Sequence, residues 1–422
     1  MKILWLSNAP TTPSGYGSQT RQVGLRIARA GYEIEFSTND GTTGNREWNG
    51  LLVRGSSQSE KYSRDSIAGD IEASGADQVI VLYDAWVYAE MGERTFAGID
   101  NVTGWTPVDH YPTPMSLYTW LGGHDTIAMS RFGESCLKAT AEAFKLAGDP
   151  YREVMFAPHA VDAVFQPMDG ARFRGLIDVP QDAYLVGIVA ANFGTKIYDR
   201  KGWSDMSAAL SRFMEARPDS YVYVHSLQKT YDGIDLPLRF QFCGVPADRI
   251  RWADQYALKK SMVSDEQMAE IYSSFDVLLN TSRGEGFGLP GIEAQACGVP
   301  VILSNWTAQA ELVGEPWHGS IGGERHPSGW LVSVDPDWDP RQGADFAKPR
   351  IFSIVGALEE AYERRGDETL SVAALAKAAE YGADRVFDAY WRPILAKMEV
   401  GPSVVPMNRE QRRATRKLRA VG

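Results

Sequence analysis

Short apolar runs alternate with amphipathic stretches along this chain, and that alternation predicts its architecture. Ile3–Leu6 reads as a strand, followed by a loop rich in Pro, Thr, Ser and Gly. Val23, Ile27 and Ala30 then recur at helical spacing, and Gly31 follows as a helix stop. "YEIEF", "QVIVLY" (78–83), "NVTGWTP" (101–107) and "DTIAMS" (125–130) are further apolar runs that end in polar or Gly/Pro residues. Around "VMFAPHAVDAVFQPMD" (154–169) the pattern breaks into a proline-punctuated link. A second series follows, with strands at "YLVGIVAAN" (184–192), "YVYVHS" (221–226), "RIRW" (249–252), "DVLLN" (276–280) and "VPVILS" (299–304), and helices between them. Strands alternating with helices predict parallel sheets covered on both faces.

The expected organisation is therefore two doubly wound, Rossmann-like α/β halves of similar size with a hinge near residue 165. Residues 1–165 form the first domain and 166–384 the second. The helix in "YGADRVFDAYWRPILAKM" carries Phe387 and Trp391, which would pack against something. Residues 322–346, including "DPDWDP", read as loop. Residues 406–422 form a basic tail.

Length and charge narrow the function. A chain of 422 residues suits two domains, and a net charge of −11 argues against general nucleic-acid binding. Three well-separated cysteines, Cys136, Cys243 and Cys297, form neither a metal-ligand spacing nor a disulfide framework, which suits a reducing cytoplasm. No apolar run is long enough to span a membrane, and "MKILWLSNAP" is too short for a signal segment.

The chemistry concentrates in "SRGEGFGLPGIEAQACGVPV" (282–301), where a glycine-rich loop follows a strand and Pro290 opens a helix. Such a loop lets backbone N–H groups approach an anion, and the helix dipole favours a diphosphate there. Glu285 and Glu293, with seven residues between them, would repel phosphate, so both should be aimed at hydroxyls. "GFGLPG" also fits a dinucleotide fingerprint, but Asn305 stands where the ribose-binding acid would be. "SGYGSQT", with Asp40 beyond it, is a second dinucleotide candidate that lacks the third glycine.

"EGFGLPGIEAQACGVPVILS" resembles the E-x7-E segment of retaining glycosyltransferases of family 4, which have the GT-B fold; the resemblance implies two domains facing across a cleft, with 385–405 returning to the first. "SRFGESCLKA", "FAPHAVDAVFQP", "YDRKGW" and "MAEIYSSFDVLLNTS" resemble other family segments in the same order. The resemblance implies a sugar donor activated by a nucleoside diphosphate (UDP or GDP), with no metal or other cofactor. It gives Glu285 the donor-sugar hydroxyls and Glu293 the ribose. The backbone of Phe287, Gly288 and Leu289 would hold the diphosphate, and Lys201 would neutralise it as it leaves. Gly15 would lie in a loop closing over the phosphates, and His110 at a strand end beside the transferred sugar. Asn192 stands where the family has an arginine, with Lys196 or Arg200 as substitutes. Glu285, His110 and Lys201 are thus the expected catalytic set.

The acceptor is open: a protein, a glycan or a lipid-linked molecule. Six basic residues from Arg409 to Arg419, against Glu410 alone, could meet an anionic partner. That tail is also similar to tails of some bacteriophage proteins. An NAD-dependent oxidoreductase and a non-catalytic sugar-nucleotide-binding relative are the competing readings.

Overall fold

The computed structural model describes residues 1–88, 95, 96, 99, 101–194 and 198–400. Lys196 and the basic tail of 406–422 lie outside the described residues. The first sheet contains β1 (Lys2–Ser7), β2 (Glu33–Thr38), β3 (Arg46–Trp48), β4 (Leu51–Arg54), β5 (Gln78–Leu82), β6 (Val102–Thr106), β7 (Asp125–Ala128) and β8 (Val154–Phe156). Their order is β3-β4-β2-β1-β5-β6-β7-β8, parallel except for the β3–β4 hairpin at the edge. β5 and β6 are buried along their whole length, as a sheet covered on both faces requires.

The second sheet contains β9 (Tyr184–Val189), β10 (Ser220–His225), β11 (Ile250–Trp252), β12 (Val277–Asn280), β13 (Val301–Ser304), β14 (Glu324–His326) and β15 (Gly329–Val332). It runs β11-β10-β9-β12-β13-β15-β14 and is parallel up to the antiparallel edge strand β14. In both sheets the connections reverse direction beside the first strand of the unit, β1 or β9. That leaves a crevice at the strands' C-terminal ends, where ligands of such sheets bind.

The segment expected to be loop is not one. "VDPDWD" is β16 (Val334–Asp339), and it pairs antiparallel with β17 (Ala344–Pro349). Asp and Pro dominate this run, so its composition alone reads as turn, and that hid the strand.

A cluster of tryptophans explains the return of the chain end. Trp391 packs against Trp5 of β1 and Trp105 of β6 at ring-centroid distances of 5.6 and 4.8 Å. Its segment, Phe387–Trp391, is a single π-helical stretch before the helix Arg392–Val400. Gln78 donates to the Met398 carbonyl at 3.3 Å, and Lys397 pairs with Glu153. The chain end is therefore fastened to the first sheet. Where the chain crosses back, Val161 exchanges backbone hydrogen bonds with Tyr381 and Ala383 at 2.9 and 3.0 Å.

Candidate active site

The basic turn after β9 is shaped by Asp199 and Gly202. Asp199 accepts from the Trp203 and Ser204 amides at 2.9 and 2.7 Å, which caps the helix Trp203–Ala216. Gly202 has φ +70°, and a Cβ there would lie 2.4 Å from the Thr281 carbonyl oxygen. A side chain cannot fit, so the turn presses against the strand end carrying the glycine-rich loop. This fixes Lys201, whose Nζ donates to Glu285 Oε1 at 2.5 Å. Arg200 Nη1 donates to the Gly284 carbonyl at 3.0 Å and lies 3.6 Å from Glu285 Oε2.

Charge in this cluster is strongly interdependent. Burial pushes the Glu285 carboxyl up, but Lys201 and Arg200 outweigh it, and the group lies below its ordinary range. Burial and the like charge of Arg200 lower the Lys201 ammonium, despite Glu285. The pair is therefore enclosed, with a second cation alongside.

The helix Leu289–Ala296 starts from Gly288, which has φ +103°, and Pro290 occupies its first turn. The Phe287 side chain is buried against His159 and Tyr381 at 5.3 and 5.4 Å, so only its backbone can serve a ligand. Gly15 opens the helix Gly15–Arg29, and a Cβ on it would come 3.1 Å from Leu289 Cδ1. The first loop of one sheet thus meets the helix start of the other. Glu293 lies in the second turn and accepts from the Tyr272 hydroxyl at 2.8 Å; burial pushes its carboxyl up to about 7.

The end of β6 supplies the facing wall. His110 Nδ1 contacts Asp109 Oδ1 at 2.7 Å, and its ring lies on Phe346 of β17 at 3.6 Å. Its Nε2 stands 3.7 Å from Asp339 Oδ2. The histidine is almost wholly enclosed by the β16–β17 hairpin, whereas the Asp109 Oδ2 oxygen faces Arg200 Nη1 at 4.0 Å. Burial works against the Asp109 charge, but His110 and Arg200 hold its carboxyl down at about 2. Tyr16 donates to Asp84 Oδ1 at 2.6 Å, and burial raises the Asp84 carboxyl.

Gly15, Arg200, Lys201, Glu285, Phe287, Gly288 and Leu289 therefore gather along one seam, with Glu293 a turn behind. Asn192 does not present its side chain there. Its amide donates to the Leu227 and Ile234 carbonyls at 2.9 and 2.8 Å and accepts from the Ile234 amide at 3.0 Å. It pins the 227–234 loop instead, and Arg200 is the arginine at the cluster. Two acids reach the wall without having been singled out: Asp84, which follows β5, and Asp109, the sequence neighbour of His110. A carboxylate just past the end of a buried strand, as in "QVIVLYDAW", is the signal that points to Asp84.

Among the described residues, no group of three or more His, Cys, Asp or Glu side chains is placed to hold a metal ion. No described helix is long and apolar enough to cross a membrane.

The profile of a family described as glycosyl transferases group 1 matches residues 232–336. Over 189 residues the chain is 26% identical to a D-inositol 3-phosphate glycosyltransferase of Segniliparus rotundus, covering 44% of this chain and 39% of that one. It is 28% identical to the enzyme of the same name from Paenarthrobacter aurescens, covering 44% of this chain and 43% of that one. The match thus spans about two-fifths of the length of these relatives. Among solved structures, a sucrose-phosphate synthase from Thermosynechococcus elongatus superimposes with a TM-score of 0.68 at 17% identity, over 94% of this chain and 100% of that one. Anabaena HepE in complex with UDP and glucose superimposes with a TM-score of 0.65 at 15% identity, over 94% and 100% of the two chains. The chain has the GT-B fold, two Rossmann-like domains facing across a cleft.

Proposed function

We propose that this chain is a retaining glycosyltransferase that takes its sugar from a nucleoside diphosphate donor, with UDP-sugars the first choice. One observation carries the reading: the Lys201–Glu285 ion pair, flanked by Arg200, stands before the glycine-started helix Leu289–Ala296. An anion at that helix start would meet two cations, backbone N–H groups and the positive end of a dipole. The bound UDP of Anabaena HepE supports the same ligand class here.

The chemistry asks for stabilisation of negative charge as the bond from the sugar's anomeric carbon to the diphosphate oxygen breaks. Lys201 and Arg200 supply it, and the amides of Phe287, Gly288 and Leu289 hold the phosphates. Glu285 accepts from sugar hydroxyls while keeping Lys201 aligned. Glu293, in its ionised form, accepts from the ribose diol. The acceptor oxygen attacks from the face the diphosphate leaves, and its proton passes to the departing phosphate oxygen. That route needs no separate base and retains configuration. Asp109 reaches a sugar hydroxyl with Oδ2, while His110 fixes the other oxygen, so His110 is a positioning residue.

A thermal-shift panel of UDP, GDP, ADP, TDP and NAD tests the reading, because a ligand that binds only the folded state raises its melting temperature. At least one of UDP and GDP should raise it, with no effect of NAD. Stabilisation by NAD alone would replace this reading with the oxidoreductase.

A further inference from the structure

The β16–β17 hairpin does more than cover His110. Tyr111 exchanges both backbone hydrogen bonds with Asp345, at 3.0 and 2.7 Å, so residue 111 extends the hairpin as a third strand. Asp345 in turn pairs with Trp338. Residues directly opposite each other in antiparallel strands point to the same face. Tyr111, Asp345 and Trp338 therefore stand in one row across three strands, and the two aromatic residues are separated by about 10 Å, two strand spacings. The neighbouring pair in the same register, His110 and Phe346, points the opposite way, and the two buried rings pack on each other.

The row is open to solvent. Trp338 is 60% and Tyr111 46% exposed, with Asp345 half-buried between them. The platform is held from both sides. Met115 donates its amide to the Gln342 carbonyl at 3.0 Å, and Ser116 Oγ donates to Gln342 Oε1 at 2.9 Å. On the far side Ala347 donates to the Arg283 carbonyl at 2.8 Å. It thus joins the two domains at the rim of the cleft.

We infer that this face is the acceptor platform and that its occupant is an uncharged oligosaccharide; the inference rests on the glycosyltransferase reading above. Flat aromatic faces cover the C–H faces of a sugar ring, and a carboxylate between them accepts hydrogen bonds from its hydroxyls. Charge selects against a phosphorylated acceptor. Asp335, Asp337 and Asp339 of the hairpin are paired with Arg350, Arg283 and Arg341 in turn, whereas the Asp345 carboxylate, in the row itself, has no ion pair among the described residues and would repel a phosphate. A glycan lying on Tyr111 and Trp338 would have its end two residues along the chain from Asp109.

The test is binding of the full chain to a printed array of neutral glucose, galactose and mannose oligosaccharides, followed by ligand-detected NMR of the best one. Glucose 6-phosphate is the charged control. Binding of a neutral oligosaccharide is expected, at least tenfold weaker in Trp338→Ala and in Asp345→Asn. Both variants should keep the nucleotide-induced thermal shift and the wild-type melting temperature without ligand, since both positions lie on a solvent-facing surface. A nucleotide shift without oligosaccharide binding would overturn the platform and leave the donor reading standing. Stronger binding of glucose 6-phosphate would also overturn it. So would concentration-dependent self-association that Trp338→Ala abolishes, since the face would then be a contact between copies. Loss of the nucleotide shift in the unaltered chain would instead remove the donor reading itself.

Discussion

Replacing Lys201 with methionine isolates the group on which the proposed chemistry leans most. The side chains of Lys201 and Glu285 are 15% and 11% exposed, and their closest approach is 2.5 Å. At an effective dielectric of about 20 their attraction is about 7 kcal/mol, most of it spent against desolvation of both ions. Removing one partner of such a pair costs about 3–5 kcal/mol. The lower end applies here, because Arg200 Nη1 remains 3.6 Å from Glu285 Oε2. For a chain of this length the unfolding entropy is about 0.9 kcal/mol per kelvin, so about 3 kcal/mol lowers Tm by about 3 °C. Methionine keeps the packing of the aliphatic stem. Transfer should suffer far more: loss of one donor to the developing diphosphate charge lowers kcat by about 10²–10³. The assay is UDP release under saturating sugar nucleotide, alongside calorimetry of the same preparation. A variant that keeps more than a tenth of wild-type kcat would refute the role of Lys201, whatever its Tm. A large fall in Tm with kcat unchanged would make the pair purely architectural.

Other consequences are equally specific. Glu311, from the second domain, accepts from the Arg131 and Phe132 amides at 2.8 and 3.1 Å, and burial pushes its carboxyl up to about 7. The folded state then holds this proton more tightly than the unfolded one, so the contribution favours folding at low pH and fades as pH rises from about 4.5 to 7. Across that window wild type should lose about 3 kcal/mol relative to Glu311→Gln, measured by urea unfolding at each pH; parallel curves would contradict it. Glu293→Gln should weaken nucleotide binding by at least tenfold, and wild-type affinity should rise through about pH 7 as Glu293 ionises. Titration calorimetry at pH 6 and pH 8 reads both, and a pH-independent affinity lost equally in the variant would count against the ribose contact. Gly284→Ala would set a Cβ 2.2 Å from the Asp109 carbonyl oxygen, so activity should fall by at least tenfold. An active, unshifted variant would mean the seam between the domains is looser than its geometry. Trp391→Ala should cost about 3–5 kcal/mol by opening a cavity beside Trp5 and Trp105, and thermal melting would measure it.

Ten of the fifteen strands of the two sheets were legible in the sequence, chiefly because parallel strands buried on both faces leave uninterrupted apolar runs; β3, β4, β8, β14 and β15, each three or four residues long, were not. "QVIVL" and "YLVGIV" are readable for that reason. Trp391 was readable as a residue needing burial, but its partners were not, since Trp5 and Trp105 are brought to it only by tertiary packing. The β16–β17 hairpin was missed because Asp and Pro dominate it, and its pairing with Tyr111 depends on a contact between domains. At the site, glycine spacing and Pro290 pointed to the helix start, and "YDRKG" to the cations. What the spacing could not reveal was direction. Asn192 sits at the expected place but turns its amide into the 227–234 loop. His110 is turned under Phe346, leaving Asp109 towards the cations. Side-chain direction at a strand end is set by whatever packs over it, and here that is a hairpin more than two hundred residues away in sequence.

Proton NMR of the protein incubated with a panel of UDP- and GDP-sugars, without added acceptor, tests the central claim most directly. Water can stand in for the acceptor, and the first sugar released reports the stereochemistry before mutarotation. The account predicts slow consumption of at least one α-linked donor, with the nucleoside diphosphate and the α-anomer appearing together, and loss of both signals in Lys201→Met. No consumption of any donor, or first release of the β-anomer, would contradict it.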